Sequence, residues 1–224
     1  MDQINFTLLE IVLKGAMWTI IVSVLSMLLG MLLAIIFLGF QKTPFKLISA
    51  PFEVFLMMLR GLPEIVMVFL VYYGGSQLLS NFDINLSAFT AGIIALALVF
   101  ASYASQTLRG AIESIPQGQW LAARALGIGK VKIFFDIILP QMWRQAIPGL
   151  TNQWLSLLKD SSLVSTIGIS EIIFTTSSVI KVTHQPFTWY IIAAILYLII
   201  SVVSNLIIKR LDRHFNSYLI TANN

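Results

Sequence analysis

The chain has 224 residues, of which 58% are hydrophobic and 11% charged, and its formal net charge is +4. Soluble domains carry roughly 25% charged residues, so most of this chain's surface is built to face lipid, which excludes most soluble enzymes, disordered tails and nucleic-acid binders. The absence of cysteine excludes a disulfide framework, thiolate metal sites and a Cys nucleophile.

Lipid admits only helices and closed barrels, because every backbone polar group must find an internal partner. The apolar runs here are continuous rather than alternating in segments of about 10 residues, so they are read as helices. Residues 1–15 begin with Ile4, Leu8 and Ile11 interleaved with Glu10 and Lys14, a weakly amphipathic pattern expected to lie along the outer interface. No basic stretch precedes the first apolar run, so this is not a cleavable signal peptide. Ala16–Phe40 is uncharged and long enough to span. A second span is expected from Phe52–Leu59 and Ile65–Phe82, carried across the charged break Arg60-Gly61-Leu62-Pro63-Glu64. Ile84–Leu108 is the third. Gln145–Leu158 is short, and is expected to continue through Lys159 and Asp160 to about Gly168 as the fourth. Val182–Ile208 is the fifth.

Basic residues set the orientation. Lys42 and Lys46 follow span one, Arg109, Arg124, Lys130, Lys132 and Arg144 lie between spans three and four, and Lys209, Arg210 and Arg213 follow span five. The positive-inside bias then places the N-terminus outside and the C-terminus in the cytoplasm. The fold class expected is all-α, integral to the membrane, as a single transmembrane domain over residues 1–224.

The loop over residues 109–144 is long and carries its own helices. Pro116 suits a helix start and Gly127 a helix stop, which predicts a short helix over residues 117–126. A second helix, Lys130–Leu139, is expected to end before Pro140. A short helix on such a loop can dock into another protein's groove through its apolar side chains.

Several motifs here carry a family resemblance. Gly118-Gln119-Trp120-Leu121-Ala122-Ala123-Arg124-Ala125-Leu126-Gly127, followed by Ile138-Leu139-Pro140-Gln141, resembles the cytoplasmic "EAA" loop of permease subunits in bacterial ABC importers. Arg60-Gly61-Leu62-Pro63, Tyr103 to Gly110 and Lys159-Asp160-Ser161-Ser162-Leu163 are similar to the polar amino-acid branch. Arg60 to Glu64, Tyr103 to Ala111 and Pro186-Phe187-Thr188-Trp189-Tyr190 are similar to its arginine-type members. The resemblance spans about residues 10 to 213.

It implies a type I importer permease with five transmembrane helices, multi-pass in the bacterial inner membrane. It implies a second permease subunit, as a heterodimer, and a periplasmic amino-acid-binding protein. Two cytoplasmic ATPase subunits would each receive one coupling helix, here residues 117–126. ATP would be bound by those ATPases, and this chain, with no cofactor of its own, would not be an enzyme. The coupling residues implied are Gly118, Gln119, Trp120, Leu121, Ala122, Ala123, Leu126 and Gly127. Two positions depart from the pattern. Leu121 stands where the family has Glu, which leaves docking to apolar contact through Leu121, Trp120 and Leu126. Gln106 stands where many relatives have Glu, and this replacement by Gln matches the arginine-type branch.

An acid inside a span costs about 2.5–3.5 kcal/mol and usually faces a cavity or pathway. Glu64 follows Pro63 at a helical break and is the first substrate-path candidate. Its structural alternative is a pair with Arg60, four residues earlier. Asp160 is the second candidate, with Lys159 as its alternative partner, and Gln106 is the third, as a gate or packing residue. A carboxylate suits a guanidinium, through bidentate geometry, which points to arginine. Lysine or ornithine, histidine and glutamine are the alternatives. Asn152 and Gln153 suit hydrogen bonds between helices. His184 and His214 are far apart in sequence and topology, so no metal pair is expected.

Two other classes compete. An ion-coupled secondary transporter usually shows inverted repeats and more helices, and no repeat is evident. An intramembrane enzyme would need a nucleophile with a base inside a span, and neither histidine is central. Gly127-Ile128-Gly129-Lys130 lacks the spacing and hydroxyl of a phosphate loop, so ATP hydrolysis must come from another chain.

Overall fold

The computed structural model describes the backbone of residues 2–220 and the side chains of residues 6–210. Expectations resting on the side chains of Ile4, Arg213 and His214 fall outside the described residues. Every element among the described residues is helical. In chain order they are α1 (Asp2–Gln41), α2 (Lys46–Gly61), α3 (Glu64–Phe69), α4 (Gly75–Ser80), α5 (Ala88–Glu113), α6 (Gln117–Ala125), α7 (Lys130–Lys132), α8 (Leu139–Asp160), α9 (Ile172–Thr183) and α10 (Pro186–Ile220). Wide π turns, Leu70–Gly74 and Ile133–Ile138, join α3 to α4 and α7 to α8, and a 3₁₀ segment, Ser161–Ile167, extends α8.

Among the described residues three stretches are long and apolar enough to cross a membrane, namely Phe6–Gln41, Ala88–Glu113 and Pro186–Arg210. Two bent pairs, Lys46–Gly61 with Glu64–Ser80 and Lys130–Ile167 with Ile172–Thr183, each count as one further crossing only if broken spans are allowed. The break expected at Arg60 to Glu64 is a 108° bend rather than a kink in one rod. Leu62 and Pro63 are both extended (ψ 141° and 137°), as the ring of a proline requires of the residue before it.

Other boundaries move as well. Residues 2–15 are the first turns of α1 itself, with Glu10 and Lys14 paired at 2.9 Å one turn apart, so no separate amphipathic segment precedes the span. The third span starts at Ala88, where the Ser87 hydroxyl caps the helix by accepting from the Thr90 N–H at 3.1 Å. It runs on to Glu113, so Arg109 belongs to this helix and the connection to the next helix starts later than residue 109. The helix expected to stop before Pro140 does not stop. The π turn takes the chain out of α register there, so Pro140 enters the first turn of α8 without the clash a straight helix would impose. The last apolar helix starts at Pro186 and not Val182. Residues 172–183 form α9, which ends at His184 in the left-handed conformation (φ 55°).

The helices pack around α5. In its apolar window 61% of residues are buried, against 6% for α10, which lies at the edge. Small residues make this possible: Ala91, Ala95, Ala97, Ala101 and Ala104 on α5 are buried. On α1, Thr19, Ser23, Ser26, Gly30 and Ala34 recur at helical spacing and turn inward. With no hydrophobic drive between helices in lipid, close contact of small residues supplies the association. The hydroxyls of Thr19 and Ser23 donate to backbone carbonyls one turn earlier, so they bring no unmet polar demand. Met17, Ile20, Leu28, Leu32 and Ile35 on the opposite face of α1 are exposed, as lipid contact requires.

α1 crosses α5 closely at Gly30. A Cβ there would lie 2.7 Å from the Phe100 ring and 2.9 Å from the Ala97 carbonyl oxygen. Gly30→Ala is therefore expected to separate α1 from α5 and to cost about 1–3 kcal/mol, the usual penalty of overpacking. Thermal unfolding of the detergent-solubilised protein checks this, and an unchanged midpoint would show that α1 can shift freely.

Candidate functional site

The bend after Gly61 makes Glu64 the first residue of α3, and the end of α8 carries Lys159 and Asp160. These two helix ends meet over one face of α5 and enclose a cavity of about 340 Å³. Glu64, Lys159 and Asp160 line it from one side, and Phe100 and Tyr103 of α5 from the other. Gln153 and Ser156 add neutral polar groups from α8, so Gln153 faces this cavity instead of bonding between helices. Two carboxylates therefore share one small volume with one ammonium.

Glu64 is not paired with Arg60. Among the described residues neither forms an ion pair, and the Arg60 guanidinium donates instead to the Ser102 carbonyl at 3.1 Å. The four-residue spacing suggested one helical face, but the Leu62–Pro63 break puts the two residues on different helices. The structure thus brings Glu64 and Asp160 together.

It does not bring Gln106 to them. Gln106 lines a second cavity of about 320 Å³ beside Arg60, Arg109 and Glu113. An ion network borders that cavity. Arg109 bonds Glu53 and, at 3.0 Å, Glu113, and Glu113 also accepts from Lys42 at 2.8 Å. This ties the ends of α1 and α5 and the body of α2 together. Each of these bonds is exposed enough to be individually weak.

α6 occupies residues 117–125, with Leu126 as its cap and Gly127 in the left-handed conformation (φ 74°). It is held to α8 by reciprocal amide bonds, Gln119 to Gln141 at 3.0 Å and Gln141 to Gln119 at 2.6 Å. Ala123 is buried and Trp120 packs against the core, so both anchor α6 to the helical body. Leu121 (64% exposed) and Leu126 (79%) face outward, with Gly118 and Ala122 beside them. The outward apolar face of α6 is therefore Leu121 with Leu126, and Trp120 lies behind it.

One buried acid escaped the sequence reading. Glu171 is fully buried. One carboxylate oxygen accepts from the Phe174 N–H at 2.9 Å, capping α9, and the other accepts from the Tyr197 hydroxyl of α10 at 2.6 Å. Its carbonyl accepts from Thr175, and the N–H of Ile172 reaches the Thr19 hydroxyl of α1 at 3.3 Å. Ser, Thr, Asp and Asn are the usual caps, so a Glu between Gly168 and an apolar run gave little signal. Gly15 adds a close approach, since its α-carbon faces Thr175 and the Glu171 carbonyl.

The chain matches known proteins over nearly its whole length. The family described as "Binding-protein-dependent transport system inner membrane component" matches residues 26–217. The arginine ABC transporter permease protein ArtQ of Haemophilus influenzae is 45% identical, covering 94% of this chain and 96% of that protein. The protein of the same name from Escherichia coli is 43% identical over 89% and 92%. A solved structure described as "Crystal structure of an amino acid ABC transporter with histidines" superposes with a TM-score of 0.83 at 27% identity, covering 95% of this chain and 97% of that one.

Removing the Glu171 carboxylate takes the acceptor from two part-buried donors, the Phe174 N–H and the Tyr197 hydroxyl, at up to about 1–3 kcal/mol each. Glu171→Ala is thus expected to lower the unfolding midpoint in detergent clearly more than Tyr197→Phe does. Equal midpoints for the two variants would show that the cap on α9 contributes nothing.

Proposed function

Because the chain belongs to the family of binding-protein-dependent transport system inner membrane components, we propose that it is the permease subunit of an ATP-driven importer of basic amino acids, with arginine the first substrate. The observation that carries the substrate reading is the cavity where Glu64 and Asp160 face each other beside Lys159. An arginine zwitterion bears two cations and one carboxylate. The cavity offers two carboxylates and one ammonium. A guanidinium and an α-ammonium would each meet an acid, and Lys159 would meet the α-carboxylate. Charge-assisted hydrogen bonds of this kind are about twice as strong as neutral ones. The relatives named arginine permeases agree with this reading.

In the proposed topology each bent helix pair is one broken crossing, giving five. Discontinuous helices are where transporters expose backbone and charge to a path. The ends of α1 and α5 that carry Lys42 and Arg109 lie together and lead into α6. That end is assigned to the cytoplasm, with the N-terminus outside. The chain itself binds no ATP. Two ATPase subunits receive the α6 helices of this chain and of a second, different permease subunit, and a periplasmic protein delivers the amino acid. The rigid tie of α6 to α8 through Gln119 and Gln141 would carry motion of the ATPases to the helix that bears Lys159 and Asp160.

Cells carrying this chain with its partner subunits are expected to take up labelled arginine only while ATP is available. Unlabelled lysine and ornithine should compete better than glutamine, and competition by glutamine alone would remove the cationic reading. Glu64→Gln should weaken apparent arginine affinity about tenfold or more, from the loss of a charged hydrogen-bond partner, while assembly persists. Leu121→Asp should instead uncouple the importer. Co-purification of the ATPase would fall, and arginine binding by the permease would not.

A further inference from the structure

The two cavities share one stripe of α5. Leu96, Val99, Phe100 and Tyr103 line the one that holds Glu64 and Asp160, and Gln106, Gly110 and Glu113 continue at the same helical spacing into the other. The opposite wall changes cavity at the same level. Leu56, Met57 and Arg60 of α2 line the second cavity, and Glu64 of α3 lines the first. Arg60 stands at the changeover on both walls. Its guanidinium donates to the Ser102 carbonyl at 3.1 Å, and its own carbonyl accepts from the Tyr103 hydroxyl at 3.4 Å. Ser102 is held in turn, because its carbonyl also accepts from Ser105 at 3.0 Å, and Ser105 accepts from Gln41 of α1 at 3.1 Å.

The electrostatics at this point are one-sided. Glu53 and Glu113, the acids of the second cavity, are both taken up by Arg109, and Glu113 also by Lys42. Arg60 forms no ion pair among the described residues. Arg60 is a cation held against α5 by a neutral carbonyl.

We infer that Arg60 is a charge gate on the translocation path, a cation clamped between the two cavities that retains a positively charged amino acid beside Glu64 and Asp160 until α2 moves off α5. The inference rests on the cationic reading of the first cavity. A passing arginine would meet a like charge within a few ångströms in a partly solvated groove, where repulsion of unit charges amounts to several-fold to many-fold in rate. The same gate would be nearly indifferent to a neutral solute of equal shape. It follows that Arg60 is a positioning and selectivity residue and does not hold the bound substrate.

The test uses the complete importer in proteoliposomes, without ATP and without binding protein, and reads passive leak of labelled arginine against its neutral isostere citrulline. Arg60→Gln is expected to raise the arginine-to-citrulline leak ratio about tenfold. Arg60→Lys, which keeps the charge, is expected to leave the ratio near the wild-type value. A ratio unchanged in Arg60→Gln, or equal leak of both solutes in both variants, would overturn the gate and make Arg60 a packing plug. If Arg60→Gln does not assemble, Arg60→Met, which keeps the length of the side chain, takes its place with the same expected ratio. ATP-driven arginine uptake by the wild-type importer is scored separately, so failure of the cationic reading and failure of the gate are told apart.

Discussion

The close crossing of α1 on α5 is the contact on which the rest of the structure depends. Gly30 lets the α1 backbone lie against Phe100 and the Ala97 carbonyl. Gly149 does the same for α8 against Thr107, and Gly92 for α5 against Val164 of the 3₁₀ segment and Ile169 just beyond it. Small residues on three sides hold α5 as a central post. Lipid supplies no hydrophobic drive between helices, so this close packing is the source of cohesion. Because α1 and α8 occupy the other faces of α5, the stripe from Leu96 to Glu113 is left to line the two cavities.

The second constraint is the treatment of charge away from water. The structure meets it in three ways. Glu171 is sealed in and fully satisfied by the Phe174 N–H and the Tyr197 hydroxyl. Glu53, Arg109, Glu113 and Lys42 neutralise one another at one end of the helices. Glu64 and Asp160 are left open to a cavity without an ion pair among the described residues. An acid that is neither sealed nor paired is the one with capacity for a ligand, which separates Glu64 and Asp160 from Glu171 on physical grounds. Breaks in the helices create that opening: the bend at Leu62–Pro63 places Glu64 at a helix start, and the passage from α8 into 3₁₀ geometry places Asp160 at a helix end.

Much of this was legible along the chain. Continuous apolar runs announced a helical membrane protein, and the charge-free stretch from Ala16 to Phe40 lies within α1. Pro116 and Gly127 bracketed α6 to within a residue, because proline and glycine act on the local backbone and need no neighbour. The choice of Glu64 and Asp160 also came from local rules, since a carboxylate inside an apolar run is costly wherever the helix packs. The loop motifs led to the permease family that the matched relatives bear out.

What the sequence by itself determined is the solvent, the helical class and the identity of the charged residues, since each follows from composition or from interactions within a turn or two. Only the tertiary structure decided which charges meet. The spacing of Arg60 and Glu64 implied a pair, and a 108° bend cancelled it. Asp160 and Glu64 are far apart in the sequence and came together only because α3 and α8 close over the same face of α5. Trp120 turned inward and Leu121 outward through the packing of α6 on the helical body. Contacts between residues distant in sequence depend on how whole helices cross. That crossing is set by small residues such as Gly30, whose effect is the absence of a side chain, so the partner it admits is not written in its own local pattern.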